Sequence, residues 1–330
     1  MPIVILRLIS ETEGRDGHRR NRRLLGAGTS CLLLVVALVT AACSAGPGSA
    51  GDGGRPVIVV SYPVLAAVVA EVVGDQAQVR VLMGNGADPH DWSPSAKDIA
   101  AVRNADLVVV NGLDLEEGLH DALAEAEAAG VPVFEATDHL TVRSLERGDS
   151  VPAKDHGDER HRGDPHFWVD PVSMSSVVGG LATTLADELG LDVTARATEV
   201  RAGLATLDEQ TRTKVATLAE TRRKLVTGHE SLGYFADRYG FEQIGAVVPS
   251  LSSQAESSAA QLAELDEQIR RAGVSVVFTE IGTPAAVAKA VAKETGATLV
   301  PLATHTLPSD GKYRTFIAEL ADRIVAALSA

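Results

Sequence analysis

Cysteine is nearly absent from this chain. Its 330 residues hold two, Cys31 and Cys43, both ahead of residue 44. The body that follows has no disulfide and no thiolate metal site, so any metal there must be held by nitrogen and oxygen. Aromatic residues are scarce too, at 4%. Ala, Val, Leu and Gly take their place, a composition that suits helices packed on parallel sheet. Basic charge is also in short supply. The formal net charge is −14, and the first 42 residues carry six arginines against three acids, so the rest of the chain stands at −17. A phosphate-binding surface needs the opposite sign, which argues against nucleic acid as a partner. Beyond the N-terminal region no run reaches about 18 apolar residues. Two hydrolase signatures are missing. His229-Glu230 is followed by Ser231-Leu232-Gly233 rather than completing HExxH, and there is no GxSxG.

The N-terminus has the layout of an export signal. Arg19, Arg20, Arg22 and Arg23 precede an apolar run over residues 24–42, then Leu38-Val39-Thr40-Ala41-Ala42-Cys43. The end of that run resembles the lipobox of bacterial lipoproteins, with Thr40 where Leu is usual. That reading makes Cys43 the acylated first residue of the mature protein. The alternatives are a signal anchor or an ordinary cleaved signal. Residues 43–55, rich in Gly, Ser, Ala and Pro, form a flexible tether. A lipid on such a tether holds a domain at the membrane surface without spanning it.

From Pro56 onward, short apolar runs alternate with helical segments: PVIVVSYP, QVRVLMG, DLVVVNG and VPVFEAT as strands, with helices between them. This predicts βαβ units and a parallel sheet. The acidic stretch GLDLEEGLHDALAEAEA reads as a solvated helix face. Residues 150–164 are polar, contain His156 and His161, and read as an exposed loop. A helix follows, then a second one predicted to run from about Asp192 to about Lys224. That is thirty-odd residues or about 45–50 Å, long enough to bridge two lobes. The strand–helix pattern then restarts with KLVTG, FEQIGAVV, VSVVFTEI and ATLVPLA. The expected fold is α/β: two lobes, each a mainly parallel sheet flanked by helices, joined by one long rigid helix. The expected divisions are a lipoprotein signal at 1–42, a tether at 43–55, lobes at 56–190 and 224–330, and the bridge at 191–223.

Four histidines stand in distinct local settings: His90 in ADPHDW, His166 in GDPHFWVDP, His229 in VTGHESLGYF and His305 in ATHTLP. His90, His229 and His305 each come soon after a predicted strand, where ligand-binding loops of parallel sheets lie. Neutral imidazoles that converge favour a borderline ion such as Zn²⁺ over Mg²⁺ or Ca²⁺.

The segments GADPHDWSPSAKDIAAVRNADLVVVNGLDLE, DPHFWVDP, VTGHESLGYFADRYGF and QAESSAAQLAELDEQIRRAGVSVVFTE together resemble the metal-receptor lipoproteins of bacterial ABC importers for zinc and manganese. The resemblance runs from about Val57 to the C-terminus. It implies two α/β lobes on one rigid helix, with the metal between them. It also implies a lipid-anchored protein on the extracytoplasmic face of the cell membrane that hands Zn²⁺ to an ABC permease and its ATPase. Mn²⁺ or another transition metal is the alternative cargo. The family's first three ligands match His90, His166 and His229. Its fourth is usually an Asp, and here the matching segment reads His305-Thr306-Leu307, so His305 becomes the fourth ligand. Glu230, beside His229, is the fallback there. Glu280, at the end of VSVVFTE, is a rival to His305 or a group that orients a ligand from behind, and Asp310 is a weaker rival. Members for zinc often carry a richer His stretch where His156 and His161 lie, so these two form a candidate auxiliary metal loop. Four protein ligands would close the coordination sphere and leave no open position for catalytic water, so a zinc hydrolase is disfavoured. A binding role without transport, such as zinc buffering or cell adhesion, is a further alternative.

Overall fold

Alternate residues of each central strand belong to different cores. The computed structural model describes residues 54–144 and 163–330. Cys43, His156, His161 and the tether up to Gly53 lie outside the described residues. Strands β1 (Val57–Val60), β2 (Gln78–Val81), β3 (Leu107–Val110) and β4 (Val133–Glu135) form one parallel sheet in the order β2-β1-β3-β4. Ile58, Val60, Leu107 and Val109 point into a large core on one face. Val59, Val108 and Val110 point to the other, against Ala101, Val102, Leu119, Ala122 and Ala126. Both faces are covered, which is why the strands read as unbroken apolar runs instead of alternating with polar residues.

The helices of this half are α1 (Pro63–Val73), α2 (Ala96–Arg103), α3 (His120–Ala128) and α4 (Pro171–Leu189). Their starts follow capping chemistry. Ser95 and Asp98 make a reciprocal capping box at α2. At α4, Asp170 accepts from the amides of Val172 and Ser173, ahead of Pro171 in the first turn. The acidic stretch before α3 departs from expectation. Leu113 and Asp114 take left-handed φ values of 54° and 56°, which turns Glu116 inward to a buried position. It is not part of a solvated helix face.

Helix α5 (Thr194–Val215) has 22 residues, about 33 Å at 1.5 Å per residue, and so is shorter than the predicted span. No Pro or Gly marks its end. The Thr217 hydroxyl donates to the Lys214 carbonyl at 2.7 Å. The Leu218 amide bonds back to Val215, and its side chain is buried. The helix packs on α1, on α4 and on the C-terminal helix α9 (Tyr313–Ser329).

The second half holds β5 (Lys224–Thr227), α6 (Gly233–Tyr239), β6 (Glu242–Ala246), α7 (Ala259–Ala272), β7 (Val276–Thr279), α8 (Ala285–Thr295) and β8 (Thr298–Pro301). Its strands pair in parallel as β5-β6 and β7-β8, two distinct ladders with β5 lying alongside β7. The two-core pattern repeats here. Leu225, Val276 and Phe278 join the large core, while Val226 and Val277 face Leu265, Ile269, Ala288 and Val291. One apolar core therefore runs from the first sheet through α1, α4, α5 and α9 to the second. The described residues, 54–144 and 163–330, fall in one compact unit.

Candidate metal centre

Each histidine is carried by a short loop whose backbone is fixed from behind. His90 follows β2. Its amide donates to Asp88 Oδ1 at 3.1 Å across Pro89, a local turn that the preceding Asp-Pro sets up. The same device recurs at His166, where Asp164 Oδ1 accepts from the backbone amide at 2.9 Å. There the carboxylate also takes the ring: His166 Nδ1 lies 2.8 Å from the same oxygen, with both side chains fully buried. The Pro165 carbonyl accepts from Asn111 Nδ2 at 3.0 Å. Trp168, in the buried turn that follows, donates Nε1 to the Thr304 carbonyl at 2.8 Å and receives Tyr313 Oη on its own carbonyl at 2.9 Å. These bonds tie the His166 turn to the second half of the molecule.

His229 stands just after β5. Its amide donates to Glu280 Oε1 at 3.1 Å, and its Nδ1 is also 3.1 Å from that oxygen, though off the line of a well-formed hydrogen bond. Glu280 Oε2 accepts from Ser231 Oγ at 2.6 Å and Thr304 Oγ1 at 2.7 Å. The carboxylate therefore sits behind the His229 ring, fully engaged.

The ring edges that carry Nε2 meet. His166 Nε2 is 3.2 Å from both His90 Nε2 and His229 Nε2, and one nitrogen from each of these three residues falls within 4.8 Å of the others. In a tetrahedral zinc site with Zn–N bonds of 2.0–2.1 Å, ligand nitrogens lie about 3.3–3.4 Å apart. The spacing fits that edge. His305 is buried beside the cluster, its ring 5.2 Å from Trp168 and 6.1 Å from His229. It stands outside the set of three, and its Nε2 is buried with no hydrogen-bond partner.

The electrostatics favour neutral rings at three of the four positions. Burial, followed by the nearby histidines, holds His90 well below its usual pKa against the pull of Glu280. Burial also lowers His166, against the hydrogen bond and charge of Asp164. Burial and His229 bring His305 down to about 3. His229 goes the other way, because the charge and hydrogen bond of Glu280 outweigh its burial. Burial alone would raise Glu280, but His229 and the hydrogen bonds from His229 and Ser231 hold it well below the usual carboxylate range.

Over residues 58–327 the chain matches the family described as zinc-uptake complex component A, periplasmic. The chain belongs to this zinc-uptake family. Among curated relatives, the zinc-binding lipoprotein AdcA of Streptococcus pneumoniae is 30% identical over 271 residues, 80% of this chain and 52% of the relative. The manganese-binding lipoprotein MntA of Halalkalibacterium halodurans is 28% identical over 255 residues, 76% of this chain and 80% of the relative. The chain spans about half the length of the streptococcal protein. Among solved structures, the periplasmic zinc-binding protein TroA from Treponema pallidum matches with a TM-score of 0.71 at 26% identity, covering 83% of this chain and 99% of that one. Members of the zinc-uptake family are metal-binding transport receptors rather than enzymes.

Within this member of the zinc-uptake family, the acidic candidates have other places. Glu230 donates its amide to the Ser250 carbonyl and lines a polar cleft with Gln243, Gln261 and Glu264, a cleft that none of the four histidines lines. Asp310 is exposed and accepts from the Lys312 amide at 3.1 Å and Thr315 Oγ1 at 2.7 Å, fixing the start of α9. Neither belongs to the histidine set. Asp164, Ser231, Thr304 and Asn111 support the site without being among the residues expected from sequence. The repeated Asp-Pro-His was the available signal for Asp164. The other three are drawn in only by the fold.

Proposed function

We propose that this chain captures Zn²⁺ with the Nε2 atoms of His90, His166 and His229, with His305 drawn in as the fourth ligand, and delivers the ion to an ABC permease powered by its ATPase. The observation that carries the reading is the pair of 3.2 Å contacts that bring the Nε2 atoms of three rings together, two of them with a carboxylate behind the ring. Three imidazole nitrogens gathered this closely in a buried setting form a donor set that suits a single cation. An all-nitrogen donor set favours Zn²⁺ over Mn²⁺, which takes more oxygen. The manganese-binding name of one relative makes Mn²⁺ the second candidate.

In this reading the lobes are 56–190 and 224–330, the bridge is 191–223 with α5 (Thr194–Val215) as its helical part, and the ion binds between the lobes. Cys43 is the proposed lipid attachment on the extracytoplasmic face. Two of the relatives are named lipoproteins, and no helix among the described residues is long and apolar enough to cross a membrane. His156 and His161, if they collect metal, do so ahead of the primary site. The test is competition of Zn²⁺ and Mn²⁺ for the purified protein under a chelator buffer. Preference for Zn²⁺ by a hundredfold or more supports the reading, and parity or a Mn²⁺ preference contradicts it.

A further inference from the structure

We propose that Thr304 is a positioning residue that selects the tautomer of His305, holding the proton on Nδ1 so that Nε2 presents its lone pair to the ion. A single carboxylate, Glu280, then orients two histidines at once: His229 directly and His305 through the Thr304 hydroxyl. This rests on the reading of His305 as a ligand.

Glu280 Oε2 lies 2.6 Å from Ser231 Oγ and 2.7 Å from Thr304 Oγ1. An ionised carboxylate can only accept, so both hydroxyls donate to it. Thr304 has one hydroxyl proton, and Glu280 takes it. The same oxygen lies 2.9 Å from His305 Nδ1, and in that contact Thr304 Oγ1 can only accept. The ring proton must therefore be on Nδ1. A neutral imidazole carries one such proton, so Nε2 is bare. That atom is the one found buried without a partner.

Thr304 is itself fixed at two points. Its carbonyl receives Trp168 Nε1 at 2.8 Å and its hydroxyl meets Glu280. A β-branched side chain has few χ1 choices, so the hydroxyl cannot easily turn away. Trp168 also packs on the rings of His166 and His305, each with centroids 5.2 Å away. The bond from the Trp168 indole to the Thr304 carbonyl thus ties the His305 loop to the element that carries His166. Glu280 Oε1 does for His229 what Oε2 does through Thr304 for His305, accepting the His229 amide at 3.1 Å and lying 3.1 Å from Nδ1. Carboxylates placed behind metal-binding imidazoles fix ring orientation, and their loss costs about 10- to 100-fold in affinity. Here a hydroxyl extends that effect one residue further along the chain.

The test compares Thr304→Val, which keeps the shape and deletes the hydroxyl, with Thr304→Ser, which restores it. Two quantities are read: the His305 tautomer by long-range ¹H–¹⁵N correlation in the metal-free protein, and Zn²⁺ affinity by chelator competition. The wild type and Thr304→Ser are expected to show protonated Nδ1. Thr304→Val is expected to show a mixture of tautomers and a loss in affinity of about tenfold. A merely structural role would lower thermal stability and leave the tautomer unchanged. An unaltered tautomer and affinity in Thr304→Val overturn the proposal. So does protonated Nε2 in the metal-free wild type, a result that needs no variant to fold. His305→Ala separates the two levels of the argument. If it binds Zn²⁺ as the wild type does, the ligand reading of His305 fails. If it binds weakly while Thr304→Val binds normally, only the role of Thr304 fails.

Discussion

Asn85 pairs its side-chain amide with both backbone polar groups of Leu307. Its Nδ2 donates to the carbonyl at 2.9 Å and its Oδ1 accepts from the amide at 2.8 Å. The two residues are 222 positions apart, Asn85 on the loop that leads to His90 and Leu307 on the loop that leaves His305. A second tie lies nearby, where Ser253 Oγ donates to Asp88 Oδ2 at 2.6 Å. Gly282 permits this approach. Its φ is +82°, and a Cβ there would stand 2.5 Å from Asp88 Oδ2 and 2.6 Å from Ser253 Cβ. His90 is the one of the four histidines that is not fully buried, and the loops that carry it and His305 are joined by the Asn85–Leu307 bonds.

Asn85→Ala should therefore speed Zn²⁺ release. Two hydrogen bonds are lost at an exposed seam, and a rise in the dissociation rate of about five- to tenfold is expected, with little change in the association rate. Stopped-flow transfer of the metal to a chelator measures it. An unchanged dissociation rate would show that the seam does not control exit.

The pH dependence of binding should be shallower than four titrating histidines would give. Metal binding requires neutral imidazole. His90, His166 and His305 are already held below their usual value, His305 at about 3. His229 alone is raised, because Glu280 stabilises its charged form. In the metal-free protein His229 thus takes up a proton as pH falls through a value above 6.5, and Zn²⁺ must displace it. A slope near one proton per ion is expected as pH falls from about 7 to about 6, steepening in stronger acid. Affinities measured across that range decide it. A slope of two or more near pH 6 would mean that a second ring is charged.

Glu116 is a buried acid with a stability consequence. Its Oε1 accepts from Ser61 Oγ at 2.6 Å and the Asn111 amide at 2.8 Å. Burial nevertheless raises its pKa to about 7, against those hydrogen bonds. The folded chain therefore binds this proton more tightly than the unfolded chain does. The neutral acid stabilises fully below about pH 4.5, and that contribution is lost as pH rises to about 7. Glu116→Gln keeps the accepting oxygen and removes the charge. It should stabilise the protein at pH 8, by up to about 3 kcal/mol from the size of the shift, and leave it little changed at pH 4.5. Chemical denaturation at the two pH values tests this. Equal effects at both would place the ionisation elsewhere.

The parts of this molecule that were legible in the sequence are those written in local chemistry. Val-rich runs such as Leu107–Val110 declared buried strands, and His90, His166, His229 and His305 stood out by their local settings. What was illegible depended on distant partners. The end of α5 near Thr217 is set by a hydroxyl on a carbonyl and by burial of Leu218, neither of which leaves a Pro or Gly as a mark. Glu116 looked solvated because its neighbours Asp114 and Glu117 are exposed, and only the left-handed turn at Leu113 and Asp114 carries it inward. Thr304 and Ser231 gain meaning only once Glu280 arrives from another strand.

Zinc binding by His166→Ala tests the central claim most directly. His166 Nε2 lies 3.2 Å from the corresponding atom of both His90 and His229, so no other ring touches as many of its neighbours. The measurement is Zn²⁺ stoichiometry and affinity of the purified wild type and variant under chelator competition, with thermal unfolding as the check on folding. The account predicts one tightly held Zn²⁺ per wild-type chain and a loss of about a hundredfold or more in a folded variant. A wild type that holds no transition metal, or a folded variant that binds as tightly as the wild type, would contradict it.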